Sequence, residues 1–297
     1  MTVSSFKSGF AAIVGSPNAG KSTLMNAMIG QKVAIVTSRA QTTRNRIMGV
    51  LTRKNSQIVF VDTPGIHTPK DKLGQYMVKT AYDALDEVEC TLFMCDAAIG
   101  IKERDEAILE RLKTARSPVI ALINKIDRAS MDSVDTMRER LERETWLHSV
   151  MKISALEKTG LDALEKTITA LLPAGPMYFP EDMVTDMPER GVCAEFVREA
   201  CMQLLDKEIP YGIGVDADKI APRGDGMLDI WITIYCERES QKGIIIGRGG
   251  SMLKRIGTRA RAQMEWLMGS RVNLKIWVKV KPDWRNSLRD LNELGYQ

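Results

Sequence analysis

The octapeptide GSPNAGKS, Gly15 to Ser22, has the residue types and the spacing of a phosphate-binding loop. It fits the pattern G-x-x-x-x-G-K-[ST], in which the glycines allow backbone N–H groups to turn inward around a phosphate. Lys21 is expected to neutralise charge on the β- and γ-phosphates, and the hydroxyl of Ser22 to bind Mg²⁺. An apolar stretch precedes the motif and a helical pattern follows it, as the motif requires. The sequence therefore predicts a site for a nucleoside triphosphate.

A second motif, NKID from Asn124 to Asp127, indicates which base this site accepts. The carboxylate of Asp127 can accept hydrogen bonds from the ring N–H and the exocyclic amino group of guanine, whereas adenine presents no such pair of donors. Asn124 is expected to tie the surrounding loops together, and the stem of Lys125 to lie along the base. The tripeptide SAL, Ser154 to Leu156, follows the last predicted strand and is placed to offer backbone N–H groups to the guanine oxygen. Together these residues predict a guanine nucleotide.

The stretch VFVDTPGIHTP ends a buried strand with an Asp and then turns at Pro-Gly. Asp62 is expected to reach Mg²⁺ through a water molecule. In the best-known GTP hydrolases the residue after this glycine is a glutamine that orients the attacking water. Here it is Ile66, whose hydrocarbon side chain cannot orient water. His67 is expected to be a mobile surface residue, with contact to the attacking water as the alternative.

The segment QTTR, Gln41 to Arg44, is predicted to contain the threonine that closes on Mg²⁺ in the GTP state. We choose Thr43, with its neighbour Thr42 as the alternative. The predicted Mg²⁺ ligands are thus Ser22, Thr43 and Asp62. The residues predicted to bind the nucleotide are Gly15, Ser16, Pro17, Asn18, Ala19, Gly20, Lys21, Ser22, Thr23, Asp62, Thr63, Pro64, Gly65, Ile66, Asn124, Lys125, Ile126, Asp127, Ser154, Ala155 and Leu156.

The C-terminal part carries a further signal, the stretch GIIIGRGGSMLKRIG. Its GxxG turn, Gly247 to Gly250, follows an apolar run and precedes a predicted helix from Ser251 to about Met268. Such a turn lets an RNA backbone approach a helix N-terminus, whose N–H groups and dipole favour phosphate. The combination resembles a type II KH domain and predicts RNA binding. The residues expected to contact RNA are Gly247, Arg248, Gly249, Gly250, Lys254, Arg255 and Arg259.

The distribution of charge agrees with two modules of different character. From Ser240 onward there are 12 Lys and Arg against four acidic residues, a formal charge of +8, whereas the rest of the chain carries −4. A basic end on a slightly acidic body favours a module that binds a polyanion. The 297 residues are enough for two ordinary domains, and 44% hydrophobic residues are typical of a folded globular protein.

The apolar runs of the sequence predict the strands that must position the nucleotide-binding motifs. The predicted strands are Phe10 to Val14, Ile58 to Val61, Thr91 to Cys95, Val119 to Ile123 and Val150 to Ser154. Four of them are nearly continuous apolar runs, as expected for parallel strands covered on both faces. The segments 102–115 and 131–146 between them are long enough for crossover helices. The N-terminal part is therefore predicted to be an α/β domain with a mostly parallel sheet.

The pattern changes after residue 172. Four prolines between residues 173 and 189 indicate a stiff linker. Beyond it, Cys193 to Leu205 has a helical pattern, and the stretches LDIWITIYC and VNLKIWVKVK alternate apolar with other residues, as strands with one exposed face do. The predicted organisation is a nucleotide domain over residues 1–172, a linker over 173–189 and a smaller α+β RNA-binding domain over 190–297.

Taken in order, GSPNAGKS, QTTR, DTPG, NKID and SAL resemble the translation-factor class of GTPases, and the Pro-Asn in the phosphate loop and the TTR segment resemble the branch that contains Era and TrmE. With the GxxG region, the resemblance to the Era-type GTPases covers essentially the whole chain. It implies a Ras-like GTPase domain followed by a KH domain. It also implies binding to the 3′ region of small-subunit ribosomal RNA, assistance in assembly of that subunit, and slow GTP hydrolysis with Mg²⁺. A monomer is expected.

The resemblance also bears on Ile66. Related GTPases with a hydrophobic residue at this position do not use its side chain to hold water, and several members with Asn in the phosphate loop bind K⁺ near the phosphates. A monovalent cation there can offset charge in the transition state. Asn18 would then bind K⁺ through its side-chain oxygen. The alternative is that Asn18 braces the loop, as Asn does in many turns.

Three other readings belong to different classes of protein. A P-loop kinase or ATPase is disfavoured by NKID. A non-catalytic scaffold would use the nucleotide only for folding. A membrane-surface GTPase would place its basic tail on anionic lipid, and the resemblance implies peripheral membrane association at the inner face of the cell membrane as a secondary property. No secretory signal or spanning segment is visible in the sequence, which favours the cytoplasm.

Overall fold

The computed structural model describes residues 6–39 and 41–296, which form two compact units. The first unit comprises the residues up to Pro69 together with Met77–Asp186. The second comprises Lys70–Tyr76 and the residues from Met187 onward. Each unit has its own sheet and its own buried apolar residues.

The first part of the chain contains six strands and five helices within the described residues. They are β1 (Lys7–Gly15), α1 (Lys21–Ile29), β2 (Ile47–Arg53), β3 (Ser56–Asp62), α2 (Lys72–Asp83), β4 (Cys90–Asp96), α3 (Glu103–Leu112), β5 (Val119–Asn124), α4 (Met131–Glu142), β6 (Ser149–Lys152) and α5 (Leu161–Leu171). The sheet order is β2-β3-β1-β4-β5-β6. All neighbouring strands are parallel except β2, which is antiparallel to β3. The prediction of an α/β domain with a mostly parallel sheet is confirmed.

Burial explains why the strands could be read from the sequence. The strands β1, β3, β4 and β5 lie inside the sheet and are buried over nearly their whole length, so that both faces need apolar residues. All five predicted strands are present. The edge strand β2 was not predicted, because its sequence, IMGVLTR, has neither a continuous apolar run nor strict alternation.

The carboxyl ends of the parallel strands carry the predicted motifs to one edge of the sheet. Asp62 ends β3 and pairs in register with Ile13 of β1. Asn124 ends β5 and pairs in register with Asp96, the last residue of β4. Ligands bind at this edge in open α/β sheets, because the loops there face away from the packed helices.

The segment predicted as a linker lies along the sheet of the first unit. The amide of Val50 in β2 donates a 2.9 Å hydrogen bond to the carbonyl of Val184. Gln57 in β3 accepts hydrogen bonds from the amides of Tyr178 and Phe179, at 2.8 and 3.0 Å. The backbone of this segment is therefore held by hydrogen bonds as far as Thr185, which bridges to the sheet at Gly49.

The second part of the chain contains four helices and three strands within the described residues. They are α6 (Glu189–Leu204), β7 (Gly214–Pro222), β8 (Leu228–Cys236), α7 (Glu239–Ile246), α8 (Ser251–Met268), β9 (Val272–Val280) and α9 (Leu288–Glu293). The sheet order is β7-β8-β9, with β7 antiparallel and β9 parallel to β8. The alternation in β8 buries Ile230, Ile232 and Ile234, and α6 and α8 pack together in the same unit. This is the α+β module that was predicted.

The helix α8 begins and ends where the sequence predicts, at Ser251 and Met268. The apolar run Ile244–Ile246 was not assigned to an element, and it forms the last turn of α7. All five cysteines are buried and unpaired. Among the described residues, no helix combines the length and the apolar character that crossing a membrane requires.

Candidate nucleotide and RNA sites

The first unit contains a cavity of about 520 Å³ at the edge of the sheet where the predicted motifs lie. Residues from six separate parts of the chain line it: the phosphate loop with the start of α1, residues 35–38 and 41–43, Gly65, Asp96 with Ile99, the loop after β5, and Ala155 with Leu156. Residues up to 139 positions apart in the sequence, Pro17 and Leu156, thus share one cavity. The fold therefore brings together the motifs that were predicted to bind one nucleotide.

The phosphate loop joins β1 to α1 and holds its lysine in a buried position. The ammonium of Lys21 donates to the carbonyls of Gly15 and Ser16, at 3.0 and 3.1 Å. Burial lowers the pKa of Lys21 to about 8, and the carboxylates of Asp62 and Asp105 offset part of that effect. A negatively charged phosphate in the cavity would stabilise the protonated form.

Asn124 holds the phosphate loop against the loop after β5. Its Nδ2 donates to the carbonyl of Ala19 at 2.8 Å, and its Oδ1 accepts from the amide of Ala155 at 3.0 Å. A Cβ atom on Gly20 would lie 2.3 Å from Nδ2 of Asn124, and Gly20 has φ +108°. Glycine is therefore required there both by the close approach and by the left-handed backbone. The geometry agrees with the expectation that Asn124 ties the loops together.

The three predicted Mg²⁺ ligands lie together. Oγ of Ser22 is 2.9 Å from Oγ1 of Thr43, and both hydroxyls donate to Oδ2 of Asp62, at 2.6 and 3.2 Å. The second carboxylate oxygen, Oδ1 of Asp62, is buried and has no hydrogen-bond partner among the described residues. Burial raises the pKa of Asp62, and Lys21 and the two hydroxyls oppose that shift. A buried carboxylate oxygen without a donor fits a site for a cation.

The alternative switch threonine lies elsewhere. The hydroxyl of Thr42 donates to the carbonyl of Arg39 at 2.8 Å and is 2.7 Å from the hydroxyl of Thr37. Thr42 therefore contacts its own loop, whereas Thr43 contacts Ser22 and Asp62. The geometry favours Thr43 over Thr42.

The residues predicted to recognise the base lie on the loop after β5. Oδ1 of Asp127 accepts from Oγ of Ser154 at 2.5 Å, and Nε of Arg128 is 3.5 Å from Oδ2 of Asp127. The ammonium of Lys125 donates to the carbonyl of Asn18 at 2.7 Å and to the carboxylate of Asp96 at 2.6 Å. These contacts hold the stem of Lys125 along the cavity, since both of its partners, Asn18 and Asp96, line the cavity.

Three of the predicted nucleotide-binding residues have structural roles for their side chains. Ile66 is 6% exposed and belongs to an apolar core cluster with Val14 and Phe93, and its side chain does not line the cavity. The hydroxyl of Thr63 donates to the carbonyl of Ile13 at 2.8 Å. Ile126 packs against the same apolar cluster as Ile66. A hydrocarbon follows DTPG because that position faces the core.

The side chains of Asn18 and His67 each form one hydrogen bond among the described residues. Nδ2 of Asn18 donates to the carbonyl of Ser38 at 3.1 Å, which braces the phosphate loop against the segment that lines the cavity. Nδ1 of His67 is 2.8 Å from the carbonyl of Gly65, and its Nε2 is buried without a partner among the described residues. The ring is half-buried and contacts its own turn through Nδ1, and its mobility stays a prediction.

The GxxG turn connects α7 to α8 in the second unit. Gly249 and Gly250 have φ +58° and +79°, and a Cβ on either would meet no heavy atom of the described residues within 4 Å. The turn is thus left-handed and open to solvent, and the N-terminus of α8 begins directly after it. Arg248 lies within the turn and is exposed. A phosphate can therefore approach the backbone of this turn without a steric barrier at Gly249 or Gly250.

The basic residues on α8 are exposed and uncompensated. Lys254, Arg255 and Arg259 are all exposed, and their ammonium and guanidinium groups form no ion pair with the described residues. The opposite side of the helix buries Ile256, Ala260 and Met264. The basic charge of this half of the chain is therefore concentrated, in part, on the solvent side of the helix that begins at the GxxG turn.

Comparison with known proteins decides the family. Residues 10–125 match the family model described as a 50S ribosome-binding GTPase, and residues 208–285 match the KH domain model. The chain is 49% identical to GTPase Era of Alkaliphilus metalliredigens over 99% of this chain and 100% of the relative. This chain belongs to the Era family of GTPases. GTPase Era of Alkaliphilus oremlandii is also 49% identical, over 98% of this chain and 99% of its own.

Solved structures of Era agree with this assignment. The crystal structure of Era in complex with MgGDPNP and nucleotides 1506–1542 of 16S ribosomal RNA is 44% identical and has a TM-score of 0.95, covering 98% of this chain and 99% of that one. The crystal structure of a variant of Aquifex aeolicus Era bound to GDP and AlF₄⁻ matches with the same values. The fold predicted from the resemblance, a Ras-like GTPase domain followed by a KH domain, is confirmed.

Sequence reasoning missed two acidic residues near the nucleotide cavity of this Era-family chain. Asp96 lines the cavity and accepts from Lys125, and Asp105 accepts from Oγ of Ser16 at 2.6 Å. The sequence could have identified Asp96 as a site residue, because it ends an apolar strand at the same edge of the sheet as Asp62 and Asn124. Nothing in the sequence distinguishes Asp105, since it lies in the first turn of α3, where acidic residues are common.

Proposed function

We propose that this protein binds GTP in the cavity of its first unit and hydrolyses it to GDP and phosphate. The observation that carries the proposal is the single cavity lined by the phosphate loop, by Thr43 and by the base-recognition residues Asn124 and Asp127. Lys21 would balance phosphate charge, and Asp127 would accept from the two donors of guanine. A competition experiment tests this: GTP and GDP should displace a fluorescent GDP analogue, and ATP should not.

Mg²⁺ fits the cluster formed by Ser22, Thr43 and Asp62. Mg²⁺ in nucleotide sites takes only one or two protein oxygens directly and fills its remaining positions with phosphate oxygens and water. The cluster offers two hydroxyls and a carboxylate with an unpartnered oxygen, which suits that requirement. When bound, Mg²⁺ supplies positive charge between the β- and γ-phosphates. Ser22 would bind it directly, Thr43 in the GTP state, and Asp62 through water.

Hydrolysis should be slow, because the position of the switch glutamine is occupied by a buried hydrocarbon, Ile66. We propose that Asn18 contributes a ligand for K⁺ through its side-chain oxygen. Its amide nitrogen donates to Ser38, and this contact leaves the oxygen available. Measurement of phosphate release in K⁺ and in Na⁺ tests the proposal, with Asn18→Asp as a variant that keeps an oxygen and Asn18→Ala as one that removes it. Equal rates in both salts for the parent would exclude a K⁺ site.

We propose that the second unit binds the 3′ region of small-subunit ribosomal RNA and that the protein assists assembly of the small ribosomal subunit. The support is the open GxxG turn with its uncompensated basic helix, and the full-length match to an Era whose crystal structure holds nucleotides 1506–1542 of 16S ribosomal RNA. The family model that matches residues 10–125 is described as a GTPase that binds the 50S ribosome, and 50S denotes the large subunit. The match to Era extends over 98% of the chain and is the more specific one.

We further propose that GTP hydrolysis belongs to residues 1–172 and RNA binding to residues 190–297. A paired assay tests both functions on one variant. The double substitution Arg248→Asp and Gly249→Asp places two carboxylates where phosphate should lie, and Asp tolerates the left-handed backbone of Gly249 better than most residues. Binding to the RNA of nucleotides 1506–1542 should be lost, while intrinsic GTP hydrolysis should survive.

The chain offers a matched control for this variant. Arg223 and Gly224 form a second exposed Arg-Gly pair, in the turn between β7 and β8. Replacing both with Asp changes the charge by the same amount without touching the GxxG turn. If this control loses RNA binding to the same extent, the effect is due to net charge and the assignment of the GxxG turn is wrong. Peripheral membrane association and the monomeric state stay predictions.

A further inference from the structure

The sheet of the second unit has a face on which aromatic and basic side chains alternate. Along β9 every second residue is exposed, and these residues are Lys275, Trp277 and Lys279. The register of the parallel pair places Trp231 of β8 beside Lys275, and Tyr235 of β8 beside Lys279. Side chains of paired residues point to the same face of a sheet. We call the set Trp231, Tyr235, Lys275, Trp277 and Lys279 the β8–β9 stripe.

The aromatic rings and the ammonium groups of the stripe are in contact. The Nζ atom of Lys275 lies 5.4 Å from the centroid of the Trp231 ring, and that of Lys219 in β7 lies 5.5 Å from it. The side chain of Trp277 is 45% exposed, although tryptophan is usually well covered in folded proteins. The face thus combines a solvent-accessible indole with lysines a few ångströms from a second indole.

Three acidic residues, Asp216, Asp218 and Asp229, lie on the same face as the stripe. Asp218 of β7 shares a surface pocket with Trp231, Trp277 and Lys279, and it accepts from the hydroxyl of Thr233 at 2.8 Å. Asp229 accepts from Asn273 at 2.6 Å, near the start of both strands. Lys275 and Lys279 form no ion pair with the described residues. Two lysines without an ion pair among the described residues therefore lie along β9, with Asp218 as the nearby carboxylate.

We propose that the β8–β9 stripe is a second contact surface for single-stranded RNA, separate from the GxxG turn. Proteins that hold single strands combine a basic track for the phosphates with aromatic side chains on which bases stack. Trp277 would supply the stacking surface, and Lys275 and Lys279 on either side of it would contact the flanking phosphates. A GxxG turn clamps about four nucleotides, so the stripe would serve a longer strand. This inference rests on the proposed RNA binding and extends it.

A role in preventing aggregation does not account for the stripe. The strand β9 is at an edge of the sheet, and lysines on an edge strand discourage pairing with other chains. That explains Lys275 and Lys279 alone. An exposed tryptophan between them has the opposite effect, because a large apolar side chain on an edge favours association. A bound RNA strand accounts for both kinds of residue, because a base can stack on the indole while the lysines contact the flanking phosphates.

The test compares two RNA probes on the full chain. The long probe is the RNA of nucleotides 1506–1542, and the short probe is a single-stranded fragment of about four nucleotides that the GxxG turn can hold alone. Trp277→Ala should weaken binding of the long probe by roughly 5- to 100-fold, as loss of base stacking does, and leave the short probe unchanged. Trp277→Phe should retain most of the affinity, because phenylalanine still offers a π face.

The matched control is Trp266→Ala. Trp266 is also exposed, at 66%, but it lies on α8 and not on the sheet. This variant should bind both probes like the parent. Lys275→Gln with Lys279→Gln should reduce the salt dependence of the long probe's affinity and leave that of the short probe unchanged. A thermal unfolding scan of each variant identifies a general loss of folding.

The outcomes separate this inference from the proposed function. If the parent binds neither probe, the proposed RNA binding fails, and this inference fails with it. If the parent binds both probes and Trp277→Ala binds the long probe at parental strength, the stripe is not an RNA surface. If Trp277→Ala instead abolishes sedimentation with vesicles of anionic lipid and leaves RNA binding intact, the stripe contacts membranes and the inference is wrong.

Discussion

The hydroxyl of Ser16 donates a 2.6 Å hydrogen bond to Oδ1 of Asp105, which joins the phosphate loop to the first turn of α3. The other oxygen of Asp105 accepts from the amide of Lys102 at 3.0 Å, and the residue is only 5% exposed. A buried carboxylate beside a site for phosphates opposes anion binding by its charge. Its two hydrogen bonds instead fix the phosphate loop to the start of α3.

We expect Ser16→Ala and Asp105→Ala each to weaken GDP binding by roughly 3- to 30-fold, the effect of one lost hydrogen bond. Because both remove the same contact, the double variant should lose little more than either single one. Asp105→Asn should be mild, since its amide can donate to Ser16 while its oxygen accepts from Lys102. Titration calorimetry with GDP measures all four. Additive losses would mean that the bond does not position the loop.

The base preference should follow Asp127. Asp127→Asn exchanges an acceptor for a donor and complements the extra carbonyl of xanthine, so the preference for GTP over xanthosine triphosphate should fall by roughly 100-fold or more. Ser154→Ala removes only the hydroxyl that donates to Asp127 and serves as the control. It should weaken both nucleotides alike. Undiminished GTP preference in Asp127→Asn would show that another group reads the base.

Nucleotide affinity should depend on pH through Lys21. Burial lowers the pKa of Lys21 to about 8 in the free protein, and bound phosphates raise it again. The affinity for GDP should therefore be full below pH 8 and decline as the pH rises above it, because the free lysine is then neutral and must take up a proton on binding. Lys21→Arg, which stays protonated, controls for deprotonation of the guanine ring. The same decline in both proteins would remove Lys21 from the explanation.

Ile66 should matter to stability more than to chemistry. Ile66→Ala deletes buried methyl groups from the core and should cost about 2–5 kcal/mol of unfolding free energy, whereas Ile66→Val should cost about 0.5–1.5 kcal/mol. The kcat of Ile66→Ala should change less than that of Lys21→Ala, when both are measured well below their melting temperatures. A large loss of kcat in the stable Ile66→Val variant would instead place this side chain at the reacting water.

The salt dependence of RNA binding should report the basic side of α8. Arg255 is exposed, so Arg255→Ala should leave folding intact while weakening binding across RNA sequences. The slope of log affinity against log salt should become shallower by roughly one unit. Arg138, which pairs with Glu142 on α4 of the first unit, is the matched exposed arginine. Arg138→Ala should leave the slope unchanged, and a parental slope in Arg255→Ala would exclude a phosphate contact there.

The sequence alone was sufficient for the elements whose burial is uniform. The strands β1, β3, β4 and β5 are covered on both faces and therefore appear as continuous apolar runs. The helix α8 could be placed at Ser251 to about Met268, since a GxxG turn precedes it. The edge strand β2 and the helix α7 could not, because short amphipathic segments have no periodicity long enough to distinguish them from loops.

The chemistry of the candidate site was determined by the sequence where residue type and local spacing decide it. A phosphate loop needs its glycines and its lysine within eight positions of the chain. Asn124 and Asp127, which were predicted to recognise the base, are only three positions apart. Their order along the chain, each at the end of a strand, was enough to predict that they meet. The tertiary structure decided what depends on distant neighbours. It placed the hydroxyl of Thr43, and not that of Thr42, beside Asp62. It also directed the side chain of Ile66 into the apolar core. It also brought Asp105 to Ser16, 89 residues away. The physical reason is that packing and hydrogen bonding between separate elements select among side chains that local sequence leaves equivalent.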